Sequence, residues 1–257
     1  MKISALASGS SGNCFYIENH HEKGILVDAG ISAKQICERL NAIGRKPDNV
    51  AGIFVTHEHC DHVRGADVFA RNFKIPIFAT KKTAKESFLC SDFEFINNIK
   101  NNETLKIGGM KVCAFPKKHL AADPISYSIY EGKKKVSVIT DLGTTSQAVE
   151  EAISFSNAVF LESNYDEEML EQGPYPFPVK KWIKSDLGHL SNVQAGCCVL
   201  EHASPKLKNI ILSHLSKTNN KPELALETFN GLIKERKNLA AKVIVSNREI
   251  PTPLLKV

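Results

Sequence analysis

The sequence predicts an α+β domain in which one sheet packs on another with helices outside. Three observations carry that expectation. Short apolar strands come first, over 2–7, 13–19 and 24–28; strand and helix then alternate to the end; and 257 residues with 42% hydrophobic content can bury a sizeable core. No stretch reads as a linker or a low-complexity segment, so 1–257 is expected to be a single domain.

The elements follow from periodicity and punctuation. A helix is expected over about 33–43, where Ser32 and Gln35 form a capping box, Ile36, Leu40 and Ile43 make the buried stripe, and Gly44 stops it. Strand and helix trade places through 50–55, 65–73, 75–79 and 81–89. Gly108-Gly109 joins strands 103–107 and 110–115, and the Glu131-Gly132-Lys133 turn joins 125–130 and 135–140. Helices at about 144–155, 176–186, 191–203 and 222–236 then interleave with strands 157–162, 208–213 and 242–246.

One heptad carries most of the functional signal. Thr56-His57-Glu58-His59-Cys60-Asp61-His62 follows the apolar run Val50-Ala51-Gly52-Ile53-Phe54-Val55, which puts four metal-binding groups in a loop at the end of a buried strand. Neutral imidazoles and a carboxylate suit zinc, manganese or iron, and this spacing can serve two ions. Other ligand-type residues also end strands: His119 follows Lys111–Phe115, Asp141 ends Val136–Thr140, and His214 ends Ile210–Ser213. Asp28, in Leu26-Val27-Asp28-Ala29-Gly30, has the same placement and is expected to orient a ligand histidine rather than to be a ligand.

Composition bounds the setting. The 33 Lys and Arg against 28 Asp and Glu leave a formal charge of +5, a mild bias toward anionic partners. Seven scattered cysteines with no Cys-x-x-Cys argue for reduced thiols in a cytoplasmic compartment. The first residues are too short for a signal sequence, and no apolar stretch is long enough to span a membrane.

The order Asp28, His57-x-His59-x-Asp61-His62, His119, Asp141, His214 resembles the metallo-β-lactamase superfamily over nearly the whole chain. Ala7-Ser8-Gly9-Ser10-Ser11-Gly12-Asn13, Gly188-His189-Leu190-Ser191-Asn192 and Leu212–Lys217 followed by Asn219-Asn220 are similar to its WalJ/YycJ branch, bacterial proteins regarded as double-strand DNA exonucleases. The resemblance implies a four-layer αβ/βα sandwich with two divalent metal ions between the sheets. His57, His59 and His119 would hold the first, Asp61, His62 and His214 the second, and Asp141 would bridge them. Leu120 departs from the branch, which usually has Asp after the third ligand; Asp123 lies three residues on.

Such a pair of ions would activate water, with Asp61 as base or orienting group. The leaving group still needs a proton. His189 is the candidate donor, since related tRNA 3′-processing endonucleases carry a catalytic histidine in a similar Gly-His-Ser context, and Glu162 at the end of 158–161 would orient it. Lys117-Lys118 beside His119, Lys180, Lys181 and Lys184 before His189, and Lys217 and Lys221 after His214 favour a polyanion, with Lys118, Lys181 and Lys217 as groove contacts. Ser10 and Asn13, in a Gly-Ser loop, and Ser216, Asn219 and Asn220 are further candidate phosphate contacts.

A phosphodiesterase acting on nucleic acid, DNA ahead of RNA, is therefore the first expectation. Hydrolysis of a small ester, thioester or lactam is the second, weakened because Asp141 sits where many β-lactamases would place Cys. A non-catalytic, metal-stabilised scaffold is the third, and an open bimetallic site argues against it. The interval between Asp141 and His214 is too short for the inserted domain of the β-CASP branch. Oligomeric state is left open.

Overall fold

A computed structural model describes residues 1–257. Two seven-stranded sheets carry the chain in two runs. The first holds β1 (Lys2–Ala7), β2 (Cys14–Glu18), β3 (Gly24–Val27), β4 (Val50–Phe54), β5 (Ile77–Ala79) and β6 (Ile96–Asn98). The second holds β7 (Thr104–Ile107), β8 (Met110–Pro116), β9 (Ile125–Glu131), β10 (Lys134–Ile139), β11 (Ala158–Glu162), β12 (Asn209–Ser213) and β13 (Lys242–Val245). The last strand, β14 (Leu255–Lys256), returns to pair antiparallel with β1 and completes the first sheet.

Period-two alternation sorts side chains to the two faces. Along β2 and β3, Phe15, Ile17, Ile25 and Val27 face the second sheet and, with Phe54 of β4, meet Tyr127, Val136, Val138, Phe160 and Ile211 in the central core. Phe15 and Phe160 rings lie 4.9 Å apart across it. Each such buried ring removes enough apolar surface to contribute about 1.5–3 kcal/mol. Tyr16 and Leu26 face outward onto α1 (Ala33–Ala42), whose Ile36 and Leu40 cover that face with Phe69 of a later helix. The register of β1 on β2 shifts between Ala5 and Ala7, so Ala5 faces the central core and Leu6 and Ala7 the outer one.

Helices α2 (Cys60–Val63), α3 (Ala66–Phe73) and α4 (Lys81–Glu86) belong to the first half. The second has α5 (Gln147–Ser154), α6 (Glu167–Gln172), α7 (Phe177–Ile183), α8 (Asn192–His202) and α9 (Pro222–Ile233). Val149, Ala195, Val199 and Phe229 of α5, α8 and α9 pack on the outer side of the second sheet. The expected four-layer αβ/βα sandwich is therefore observed. The expected capping box of Ser32 with Gln35 forms, and a second one joins Ser191 to Gln194 at the start of α8.

One expectation needs correction, and three elements add to those expected. The metal-binding heptad is a loop only as far as His59, which is the N-cap of α2, so Asp61 and His62 ride on one helical turn. The strand Ile96–Asn98 and the helix Glu167–Gln172 lie in segments too short and polar to show a period, and β14 is only two residues long. No helix is long and apolar enough to cross a membrane.

Candidate metal centre

The parallel strands β3 and β4 in one sheet and β10, β11 and β12 in the other end at a common rim. Asp28, Thr56, Asp141, Glu162 and His214 stand at or just past those ends. Three of them, Asp28, Asp141 and His214, have left-handed backbone, with φ of 61°, 54° and 57°. Non-glycine residues pay for that conformation, and such strain collects where the surrounding structure must aim a side chain. Gly30 lets the α2 turn approach: a Cβ there would lie 1.6 Å from the Asp61 carbonyl oxygen.

Hydrogen bonds set the histidine tautomers. Asp28 accepts from the Thr56 N–H (2.8 Å), the Thr56 hydroxyl (3.0 Å) and His62 Nδ1 (2.7 Å), while Thr56 Oγ1 accepts from His57 Nδ1 (2.9 Å). His119 Nδ1 donates to the Gly188 carbonyl (3.1 Å) and His214 Nδ1 to Glu162 Oε1 (2.8 Å). Each of these rings therefore commits Nδ1–H outward and aims Nε2 at the interior. The Nε2 atoms of His119 and His214 are buried without a hydrogen-bond partner.

The inward atoms form four overlapping groups, two of them joined by Asp141 to the rest, and the other two match the expected pair of ions. Ligand atoms of His57, His59 and His119 lie within 4.8 Å of one another, as do those of Asp61, His62 and His214. His57 Nε2 and His59 Nδ1 are 3.0 Å apart. Asp141 lies between the groups, its Oδ2 at 3.0 Å from His62 Nε2 and its Oδ1 at 3.7 Å from His119 Nε2. The 3.0 Å approach is close but badly angled for a hydrogen bond, so Asp141 Oδ2 is also without a partner. Lone pairs and carboxylate oxygens crowded on common points fit divalent cations, and this donor set fits zinc, manganese or iron.

Electrostatics agree with that fit. Burial holds His119 down to about 4 and His57 well below the usual histidine range, so both are neutral. Burial opposes charge at His214 as well, but Asp141, Asp61 and Glu162 outweigh it and raise this ring to about 10. At Glu162 burial is overcome by His189 and His214, and the carboxyl falls to about 2. Asp141 is likewise held well below the carboxylate range, burial being overcome by His214, His62 and His57. Without cations, protonated histidines must balance the buried acids; bound cations would take over that role.

Glu162 Oε1 also accepts from His189 Nδ1 at 2.8 Å, while Oε2 accepts from the Leu142 N–H. One carboxylate thus orients both a candidate ligand and the candidate proton donor, whose ring is 5.3 Å from each of His119 and His214. Asn13 is buried, with Nδ2 at 3.3 Å from Asp61 Oδ2 and 3.2 Å from His62 Nε2, and it braces the centre from within.

The expected substrate contacts divide. Lys118, Lys181 and Lys217 are exposed, Ser10 is exposed at the tip of the Gly9–Gly12 turn, and Ser216 is buried at the wall of a cleft. Asn220 is not available: Nδ2 donates to Ser163 O and Asn164 O, and Oδ1 accepts from Asn192 and the Lys221 N–H. Asn219 is 1% exposed, its Oδ1 close beneath Gly173. Lys117 is buried and donates to Thr140 O, and Lys180 and Lys184 are bound to Glu171. Leu120 is 54% exposed and its N–H donates to Leu187 O, so it forms part of the lip.

Sequence reasoning missed Thr56, Asn164 and Trp182. Thr56 is the hub between Asp28 and two rings; Asn164 donates to the His214 carbonyl (2.8 Å); Trp182 stands edge-on to His189 at 5.6 Å. Threonine inside the heptad was the one available signal.

Two stacked sheets with a His/Asp centre at their shared rim define a class that the family comparison names. Residues 7–168 match the Metallo-beta-lactamase superfamily, and the chain belongs to it. Within that superfamily it is 37% identical over 241 residues to the exodeoxyribonuclease YycJ of Bacillus anthracis, covering 92% of this chain and 90% of that one. It is also 34% identical to the exodeoxyribonuclease WalJ of Streptococcus pneumoniae serotype 2, over 100% and 98% of the two chains, which puts it in the WalJ/YycJ branch. Among solved structures, YhfI of Bacillus subtilis has a TM-score of 0.70 at 12% identity over 98% of each chain. The short form of human tRNase Z has 0.66 at 13% over all of both. These two likenesses establish the fold alone.

Proposed function

We propose that the chain is a two-metal exonuclease acting on DNA, with 1–257 as one catalytic domain in a reducing, cytoplasmic compartment, a setting supported by seven free cysteines. The observation that carries the reading is the pair of inward ligand groups sharing Asp141, together with the exodeoxyribonuclease relatives.

His57, His59 and His119 would hold one zinc or manganese ion, iron being possible chemistry for the same set, and Asp61, His62 and His214 the other. Such ions lower the pKa of water and stabilise charge on the attacking and leaving oxygens. Asp61, braced by Asn13, orients the attacking water and accepts its proton. His189, with Nδ1 committed to Glu162, donates from Nε2 to the leaving oxygen. Asp28 and Thr56 hold the His57 and His62 rings in register. Lys118, Lys181 and Lys217 neutralise phosphates along the approach, joined by Ser10 and Ser216, and the partly exposed Trp182 offers a ring to a base.

The test is hydrolysis of labelled double- and single-stranded DNA, RNA and a chromogenic lactam, each with Mn²⁺ or Zn²⁺ and with chelator. Stepwise shortening of DNA from its ends, abolished by chelator, is expected. Turnover of the lactam with no DNA cleavage would overturn the reading.

A further inference from the structure

Beside the metal centre lies a cleft of about 550 Å³ whose walls include Arg39, Arg64, Lys217 and Arg248. Its one acidic neighbour is Glu249, which forms no ion pair with any of the four. Outside the cleft, Arg45 pairs with Glu18 and Glu22 and Arg71 with Asp67, while Arg236 alone is held by the Val199 and Leu200 carbonyls. Inside it, all three guanidinium groups are held by carbonyls and gather at one place. Arg39, 9% exposed, donates to Leu6 O and Arg248 O; Arg248 donates to Leu215 O; Arg64 donates to Ser11 O. Arg248 Nε is buried and has no partner at all.

Three guanidinium groups in a partly buried cleft with one acid nearby and no ion pair leave an excess of positive charge that an anion would complete. The backbone is built around that charge. Gly9 has φ of 141°, and a Cβ there would lie 2.9 Å from Arg248 Nε, so the turn closes over the guanidinium only as glycine. The cleft also touches the centre directly. Ser8 lines it, and the Ser8 hydroxyl accepts from the His214 N–H (2.7 Å) and donates to Asn13 Oδ1 (3.2 Å), while Leu215 and Ser216 follow His214 in sequence.

We propose that this cleft is a second phosphate site, binding a phosphate of the substrate strand other than the one being cleaved, through the guanidinium groups of Arg64, Arg248 and Arg39. Arginine suits this role because its fork of donors matches phosphate oxygens two at a time. The identity of the ligand as nucleic acid rests on the nuclease reading; the existence of an oxyanion site does not. A strand anchored here and at the metals is fixed at two points, which sets how far its end reaches past the scissile bond.

The experiment pairs two readouts on the full chain, wild type against Arg64→Gln/Arg248→Gln. In chelator-treated protein, inorganic phosphate should raise the unfolding temperature of the wild type and leave the double variant unmoved. With metal restored, KM for DNA should rise about 10- to 100-fold in the variant with kcat little changed, the loss expected for charged hydrogen bonds. DNA carrying 5′-phosphate, 3′-phosphate or hydroxyl ends separates the sources. A terminal phosphomonoester in the cleft makes removal of that end phosphate mimic the variant; an internal diester makes the variant weaken all ends alike.

A variant that keeps both the phosphate response and the wild-type KM would overturn the proposal. The single, exposed Arg64→Gln carries the same test if the double variant does not fold. If the chain cleaves no DNA yet phosphate stabilises it through these arginines, the nuclease reading falls and the anion site stands.

Discussion

His59 and His189 are both imidazoles at the rim, but they are committed differently, and substitution should separate them. His59 Nδ1 meets His57 Nε2, whereas His189 gives Nδ1 to Glu162. His59→Ala is expected to lose metal and activity together. His189→Ala should keep its metal and lose turnover by about 10²- to 10⁴-fold; elemental analysis beside single-turnover rates reads both, and near-full activity in His189→Ala would remove the donor role. Asp28→Asn tests support rather than ligation. It weakens the acceptor for His62 Nδ1 and is expected to lower metal affinity about 10- to 100-fold, as loss of an outer partner usually does. Metal titration against a competing chelator reads that shift.

At the scale of elements, buried charge in the second sheet gives a pH-dependent prediction away from the metals. Lys135 of β10 is 6% exposed, lies over the Tyr130 and Phe155 rings and donates to Ala152 O. Burial pulls its ammonium down to about 8. Between about pH 8 and the ordinary lysine range the unfolded chain binds the proton that the folded chain has shed, so stability should rise with pH in that window, by at most about 3 kcal/mol. Lys135→Met should flatten the slope and stabilise the protein at neutral pH, because Ser156 still donates to Ala152 O. Denaturant melts at pH 7 and pH 10 check it; equal slopes in both proteins would refute it. The Gly30 contact is a second element-scale device. Gly30→Ala must push α2 away from β3, and a loss of about 2–4 kcal/mol in stability is expected, with weaker metal binding, from the same melts.

For the molecule as a whole, two ions per chain are expected, and gentle loading that leaves at most one tight metal by elemental analysis would contradict it. Cations at 100 to 1,000 times their Kd stabilise by about 2.7–4.1 kcal/mol each, so chelation should lower Tm by roughly 5–15 °C per ion. The long-range field is testable too. DNA binding should weaken with salt at a log–log slope of about 0.7–0.9 per phosphate contacted, and replacing Lys118, Lys181 and Lys217 together should flatten it.

The layered fold was legible because its strands are short apolar runs and its helices carry caps: Phe15-Tyr16-Ile17 and Ile25-Leu26-Val27 are buried on both faces, and Ser32 caps with Gln35. Ligand types were legible as well, since His57, His59, Asp61 and His62 are compressed into one heptad and His119, Asp141 and His214 each follow an apolar run. Local pattern carries that much because strand faces and cap geometry depend on near neighbours. What only the tertiary structure decided is which donors are spent and which are spare. Asn220 and Lys117 are consumed by backbone carbonyls, Asn13 and Thr56 become braces of the centre, and Arg39, Arg64 and Arg248, scattered over two hundred positions, converge on one cleft without an ion pair. Hydrogen-bond accounting is a property of the closed structure, because partners far apart in sequence settle which polar atom remains free.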